Sequence, residues 1–148
     1  SGGSLGVRQQ LVSNGLKGFS ETYGLGLGGG GSVAYMESIG GIGAKQVTSM
    51  HNFWLEILIE GGVIMFVAFI FWYILVSANL LKVYRATTLT SNLRYLGGAC
   101  SLSLIGFLVG AISASSVIYF FPMWILFGLS ICVINIAKGY KSEDITVS

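Results

Sequence analysis

The sequence predicts an all-α integral membrane protein: three transmembrane helices preceded by an N-terminal extracytoplasmic segment with a short amphipathic helix. Three observations lead there. Only 9% of the 148 residues are charged, against about a quarter in an average soluble domain. Mean hydropathy is +0.78. No acidic or basic side chain occurs in 61–81 or in 95–137, runs of 21 and 43 residues. A bilayer-spanning helix takes about 20 mostly apolar residues, a membrane β-strand only about 10. The first run therefore supplies one helical span, and the second supplies two joined by a tight turn.

The elements follow in order. Residues 1–60 form the extracytoplasmic segment, 61–137 the three-helix transmembrane region and 138–148 a cytoplasmic tail. Residues 5–19 read as an amphipathic helix with Leu5, Val12, Leu16 and Phe19 on one face. On the helical wheel, Gln9, Gln10, Ser13, Asn14 and Lys17 share a polar side, while Arg8 projects between Phe19 and Leu11. Two glycine-rich stretches come next, "YGLGLGGGGS" (23–32) and "SIGGIGAK" (38–45), and such runs hold no regular structure alone. Span one, 61–81, carries Trp72 and Tyr73 near its middle, where they suit helix packing. Span two, 95–112, has Gly106 and Gly110 in line with Ala114, a ridge of small residues that lets another helix approach closely. The turn "SASS" (113–116) leads into span three, 117–137. Pro122 lies in the first turns of that span, where its missing N–H matters least, and "YFFPMW" supplies an aromatic belt at the interface.

Charge sets the orientation and excludes some partners. Lys82, Arg85 and Arg94 lie between spans one and two, and Lys138 and Lys141 follow span three. The positive-inside rule places both groups in the cytoplasm, and so leaves 1–60 and the "SASS" turn outside. A net charge of +2 with no basic run gives no footing for nucleic acid. Cys100 and Cys132 fall inside spans without metal-ligand spacing, and are read as small packing residues. The chain starts at Ser1 with no cleavable signal pattern, so it reads as the C-terminal part of a larger protein. Membrane lipid and the upstream transmembrane helices are then its expected neighbours.

The titratable groups gather in "HNFWLEILIEGG" (51–62). Asn52, Glu56 and Glu60 share one helical stripe, and His51 joins them only if the helix starts after it. Asn52 is a favourable N-cap, and Thr48 and Ser49 offer alternatives. With Asn52 in that role, His51 lies just outside the helix, where an imidazole can hold or move a proton near neutral pH. Its bland alternative is an interfacial histidine bonded to lipid or backbone. Glu60 enters the apolar run itself, where ionisable groups are expensive and usually have a task. Arg8 has two readings: snorkelling to lipid phosphates, or clamping an anionic ligand such as a lipid-linked pyrophosphate. "GLGGGG" (26–31) satisfies G-x-G-x-x-G formally, but the strand, helix and acidic residue of a dinucleotide site are not evident around it.

Taken together, "GVRQQL" (6–11), "GLGLG" (24–28) and "HNFWLEILIEGG", followed by hydrophobic helices, resemble the C-terminal region of the O-antigen ligase/polymerase family. The teichuronic acid polymerase branch of Gram-positive bacteria is similar. His51, Asn52, Leu55, Glu60 and Gly62 match the family's His-Asn-x-x-Leu…Glu-x-Gly pattern, and Arg8 matches the arginine that opens its large extracytoplasmic loop. The chain departs in having Thr22-Tyr23 where a proline usually precedes the glycine motif, and in its longer glycine run. The resemblance implies a GT-C type glycosyltransferase in the bacterial cell membrane. Such an enzyme takes an undecaprenyl-pyrophosphate-linked oligosaccharide as donor and needs no metal, nucleotide sugar or other cofactor. It also implies roles. His51 would orient or deprotonate the acceptor hydroxyl, and Arg8 would neutralise the leaving pyrophosphate. Glu60 would hold the histidine or the local fold, while Gly24, Gly26, Gly28 and Asn52 would set the loop geometry. The alternatives from the residues alone are a transporter segment or a non-catalytic membrane subunit.

Overall fold

The computed structural model describes residues 4–40, 52–112 and 121–146, with side chains for 6, 8–40, 52–112 and 121–140. His51, Ala114, the "SASS" turn and most of "SIGGIGAK" lie outside these residues. The described residues form five helices and no strand: α1 (Ser4–Glu21), α2 (Gly31–Ser38), α3 (Phe53–Arg85), α4 (Ser91–Gly110) and α5 (Phe121–Thr146). Three are long and apolar enough to cross a membrane, namely α3, α4 and the Phe121–Tyr140 part of α5, so the chain is a multi-pass membrane protein by length and composition. In the most apolar stretch of α3 only 17% of the residues are buried, so its greasy surface faces outward, toward lipid or further helices.

The chain divides into two compact units. One comprises Ser1–Ile70 with Gly110–Ile118, the other Phe71–Val109 with Tyr119–Ser148. In the first unit, α1 ends when Tyr23 turns left-handed (φ 53). The Gly24 N–H then donates to the Phe19 carbonyl (3.1 Å) and the Tyr23 N–H to the Ser20 carbonyl (3.1 Å). This paired closure satisfies carbonyls that the helix end would orphan. The buried face of α1 is not the one its hydrophobic pattern picked out. Leu11 is fully buried, as are Gly15 and Gly18, while Leu16 is 43% exposed. The reason is α2, whose Tyr35 ring lies flat against Gly18, where a Cβ would meet the ring at 3.0 Å. Glycine, not leucine, makes that contact possible. Leu11, Met36 and Ile59 form the core between α1, α2 and the start of α3, flanked by Phe19, Leu27 and Leu55.

The second unit is held by side chains across helices. Phe127 of α5 is its hub, meeting Trp72 (4.9 Å), Phe107 (5.8 Å), Trp124 (6.2 Å) and Tyr73 (6.3 Å) ring to ring, mostly edge-on. The buried Tyr73 hydroxyl donates to the Leu104 carbonyl (2.5 Å). Gly97 admits Val83 and Gly98 admits the Tyr84 ring, each so closely that a Cβ would sit 2.9 Å from the neighbour. The close helix approach therefore occurs at Gly97-Gly98. A Cβ at Gly106 or Gly110 would meet nothing within 4 Å, so the expected ridge faces open space among the described residues. Cys100 is buried, Cys132 is exposed and both are free thiols.

Candidate functional site

The first residues of α3 are nucleated by Asn52. Its side-chain oxygen accepts the backbone N–H groups of Trp54 (3.1 Å) and Leu55 (3.2 Å), leaving two fewer orphan donors at the helix start. The Phe53 N–H donates to the Ala111 carbonyl (3.1 Å). Between Asn52 and the long apolar run, α3 is broken. Gly62 has φ 77 and ψ 175, a region open essentially to glycine alone. The break is sharp: the rings of Phe53 and Phe69 lie 5.9 Å apart, and those of Trp54 and Phe69 lie 6.1 Å apart. In a straight helix, sixteen residues would separate Phe53 from Phe69 by about 24 Å. Residues 53–61 therefore fold back along 63–69 as a short helical hairpin with Gly62 at its apex. The break falls at the start of the expected span 61–81 and leaves 63–81 helical.

A broken helix leaves backbone groups unpaired, and in an apolar setting each is costly. The glycine loop pairs them. In an uninterrupted helix Val63 would donate to the Ile59 carbonyl. Here Val63 donates to the Gly24 carbonyl (3.0 Å), and Ile59 accepts from Leu27 instead (2.8 Å). The Glu60 carbonyl takes the Gly28 N–H (2.9 Å). Two backbones this close exclude side chains at the crossing. A Cβ on Gly26 would overlap the Glu60 carbonyl oxygen and the Gly62 nitrogen, and one on Gly62 would overlap the Leu25 carbonyl. Gly24, Gly26 and Gly28 all hold positive φ (78, 91 and 85).

Glu60 locks the loop from its side chain as well. One carboxylate oxygen accepts the Gly30 N–H (3.0 Å) and the other the Ser32 hydroxyl (2.5 Å), with Ser32 buried. Gly30 is the left-handed N-cap of α2 and has no side chain to cap it. The Glu60 carboxylate thus does that work from 30 residues away, and its charge suits the positive end of the helix. The loop "GLGGGG" does precede a helix, contrary to the sequence expectation. The place a phosphate takes in a dinucleotide fold is filled here by the chain's own carboxylate.

Tyr35 ties α2 back to α1. Partial burial, followed by the interaction with the Glu21 side chain and its charge, raises the Tyr35 hydroxyl above the ordinary value of 10.0.

The structure thus brings Gly24, Gly26, Gly28 and Glu60 into one assembly with Gly62, and sets Asn52 at the N-terminus of the same hairpin. Arg8 stands exposed one turn before Leu11 on α1, so it lies on the inward stripe but beyond the packed core. Among the described residues, no cluster of three or more metal-ligating side chains occurs. Ser32, Gly30 and Tyr35 have partners that only the fold reveals. The pair "GG" at the end of the Asn52–Glu56–Glu60 stripe is the one local signal of the break.

No protein-family model matches the chain, and no solved structure matches it. Among curated proteins it is similar to the teichuronic acid biosynthesis protein TuaE of Bacillus subtilis (strain 168), with 28% identity over 132 residues. The match covers 89% of this chain but 27% of that protein, so the chain spans about a quarter of the relative's length.

Proposed function

We propose that the chain is part of a membrane glycosyltransferase that polymerises or ligates undecaprenyl-pyrophosphate-linked glycans at the outer face of a bacterial cytoplasmic membrane. The observation that carries this reading is the likeness to a teichuronic acid biosynthesis protein over 89% of the chain. That span contains the loop-and-hairpin assembly described above. Its fit to polysaccharide synthesis supports the coarse function, and the motif resemblance supplies the chemistry.

In that chemistry an acceptor hydroxyl attacks the anomeric carbon of the donor. The new glycosidic C–O bond forms as the bond to the diphosphate oxygen breaks, and the lipid pyrophosphate leaves with the electron pair. His51, next in the chain before the capping residue Asn52, takes the hydroxyl proton. Arg8, whose guanidinium can pair bidentately with phosphate, faces the growing charge on the pyrophosphate. Glu60 acts as a positioning residue: both its oxygens accept bonds from the loop, which fixes the hairpin that Asn52 caps. Residues upstream of the chain complete the site.

The test is polymer growth by the intact protein in cells. His51→Ala and Arg8→Ala are each expected to abolish long-chain glycan at normal protein level and to leave the lipid-linked repeat unit unconsumed. Normal polymer in either variant removes that residue from the mechanism.

A broken helix is also a feature of transporters, where unwound carbonyls hold ions or substrates. Here the Ile59 and Glu60 carbonyls are bonded to Leu27 and Gly28, so that ligand set is already occupied. Solute flux into vesicles carrying the intact protein separates the two readings; coupled uptake would favour the transporter.

A further inference from the structure

The second unit carries a cavity of about 190 Å³ that the glycan reading does not use. It opens where α3 ends and α5 passes, with Asn79, Lys82, Thr88 and Lys138 as its polar lining and Val83 and Ile134 among its apolar walls. Two lysines contribute only donors and two positive charges, and among the described residues no carboxylate lines the space. Between Glu60 and Glu143 there is no acidic residue, while Lys82, Arg85, Arg94, Lys138 and Lys141 are all basic; Glu143 and Asp144 follow Lys138 by five and six residues. The last carbonyls of α3 favour a cation at Lys82. They do not explain Lys138, which stands eight residues before the end of α5 at Thr146. Arg94 is already engaged, donating from its Nε to the Tyr84 carbonyl (3.2 Å).

We propose that this cavity binds the phosphodiester headgroup of an anionic membrane phospholipid between Lys82 and Lys138, with the Asn79 amide and Thr88 hydroxyl as neutral partners. The volume suits a headgroup: a single water needs about 10–15 Å³ of such space, so there is room for a group of many water volumes. The position suits a lipid, because both lysines flank the charge-free spans, at the level where headgroups lie. The apolar walls then meet the first carbons of the chains. This site is independent of the glycosyltransferase reading and of which face of the membrane is outermost.

The experiment is native mass spectrometry of the purified chain in detergent, titrated with phosphatidylglycerol or with phosphatidylcholine. The expected result is preferential retention of phosphatidylglycerol, weakened roughly 30-fold in Lys82→Ala/Lys138→Ala, the loss expected for two cations at an anionic lipid surface. Lys82→Arg/Lys138→Arg is expected to keep it. The charge-matched Lys17→Ala/Lys45→Ala control is also expected to keep it, and inorganic phosphate is expected not to displace the lipid. If the alanine pair alters the helical melt, Lys82→Gln/Lys138→Gln gives the same reading with the stem length kept. Equal retention of the two lipids, unchanged binding in the site variants, or an equal loss in the control overturns the proposal. Displacement by inorganic phosphate also overturns it, showing a free-anion site instead.

Discussion

Glycine does opposite work in the two units. In the first, Gly24, Gly26, Gly28 and Gly62 adopt positive φ, and two backbones touch where a Cβ would overlap a carbonyl. In the second, Gly97 and Gly98 keep ordinary helical geometry and make room mainly for the Val83 and Tyr84 side chains, with the Tyr84 nitrogen 3.2 Å from a Cβ at Gly97. The first unit is therefore assembled by backbone hydrogen bonds across a broken helix, the second by aromatic rings around Phe127. The difference teaches where this molecule is intolerant: a side chain can yield to an intruding methyl, whereas a paired carbonyl cannot.

The largest effect is expected at the apex. Gly62→Ala forces both a glycine-only conformation and a clash with the Leu25 carbonyl, and should cost upwards of about 3 kcal/mol. In detergent melts the variant should unfold early or fail to accumulate. The matched change Gly106→Ala, in open space within a helix, should be neutral or stabilising by about 0.5–1 kcal/mol. Equal tolerance at both positions would erase the contrast.

Glu60 comes next. Glu60→Ala leaves the buried Ser32 hydroxyl without its acceptor, at about 1–3 kcal/mol, and hands the exposed Gly30 N–H to water. Glu60→Gln keeps one acceptor and should fall between. In the polymer assay both variants should lower output in proportion to their loss of stability, as a positioning residue requires. Full loss of polymer in a Glu60→Gln protein that melts like the wild type would instead make Glu60 part of the chemistry.

Asn52→Ala removes the cap at the start of the hairpin and should cost about 1 kcal/mol. The smallest effect belongs to Tyr35→Phe, which loses the bond to Glu21 but keeps the ring on Gly18. Because the folded state raises the Tyr35 hydroxyl, the stability from this link is complete below pH 10 and is lost as the pH climbs through the raised value. A melting difference between wild type and Tyr35→Phe should therefore be constant at neutral pH and vanish only in strong alkali.

The fold class was legible because charge-free runs of 21 and 43 residues leave little choice but helical spans. The ends of α1 were legible for the same reason: periodicity stops where glycine begins. What periodicity could not show was the stripe α1 buries, since Gly15 and Gly18 carry no hydrophobic signal yet are buried, Gly18 under Tyr35 of α2. Helix α2 itself is a short run between glycine-rich stretches, and is stabilised by a carboxylate far along the chain. The break at Gly62 hides inside an apolar run that reads as continuous, and its proof is a contact between Phe53 and Phe69. Gly24, Gly26, Gly28 and Glu60 stood out by type, but their pairing, and the part of Ser32, belong to tertiary structure.

The fold-back at Gly62 underlies the hydrogen bonds between the hairpin and the glycine loop. Its most direct test is the distance between nitroxide labels at positions 54 and 69, with Cys100 and Cys132 replaced by alanine. The hairpin predicts strong dipolar broadening from a close pair. A separation near 22 Å, the rise of an unbroken helix over that interval, would contradict it.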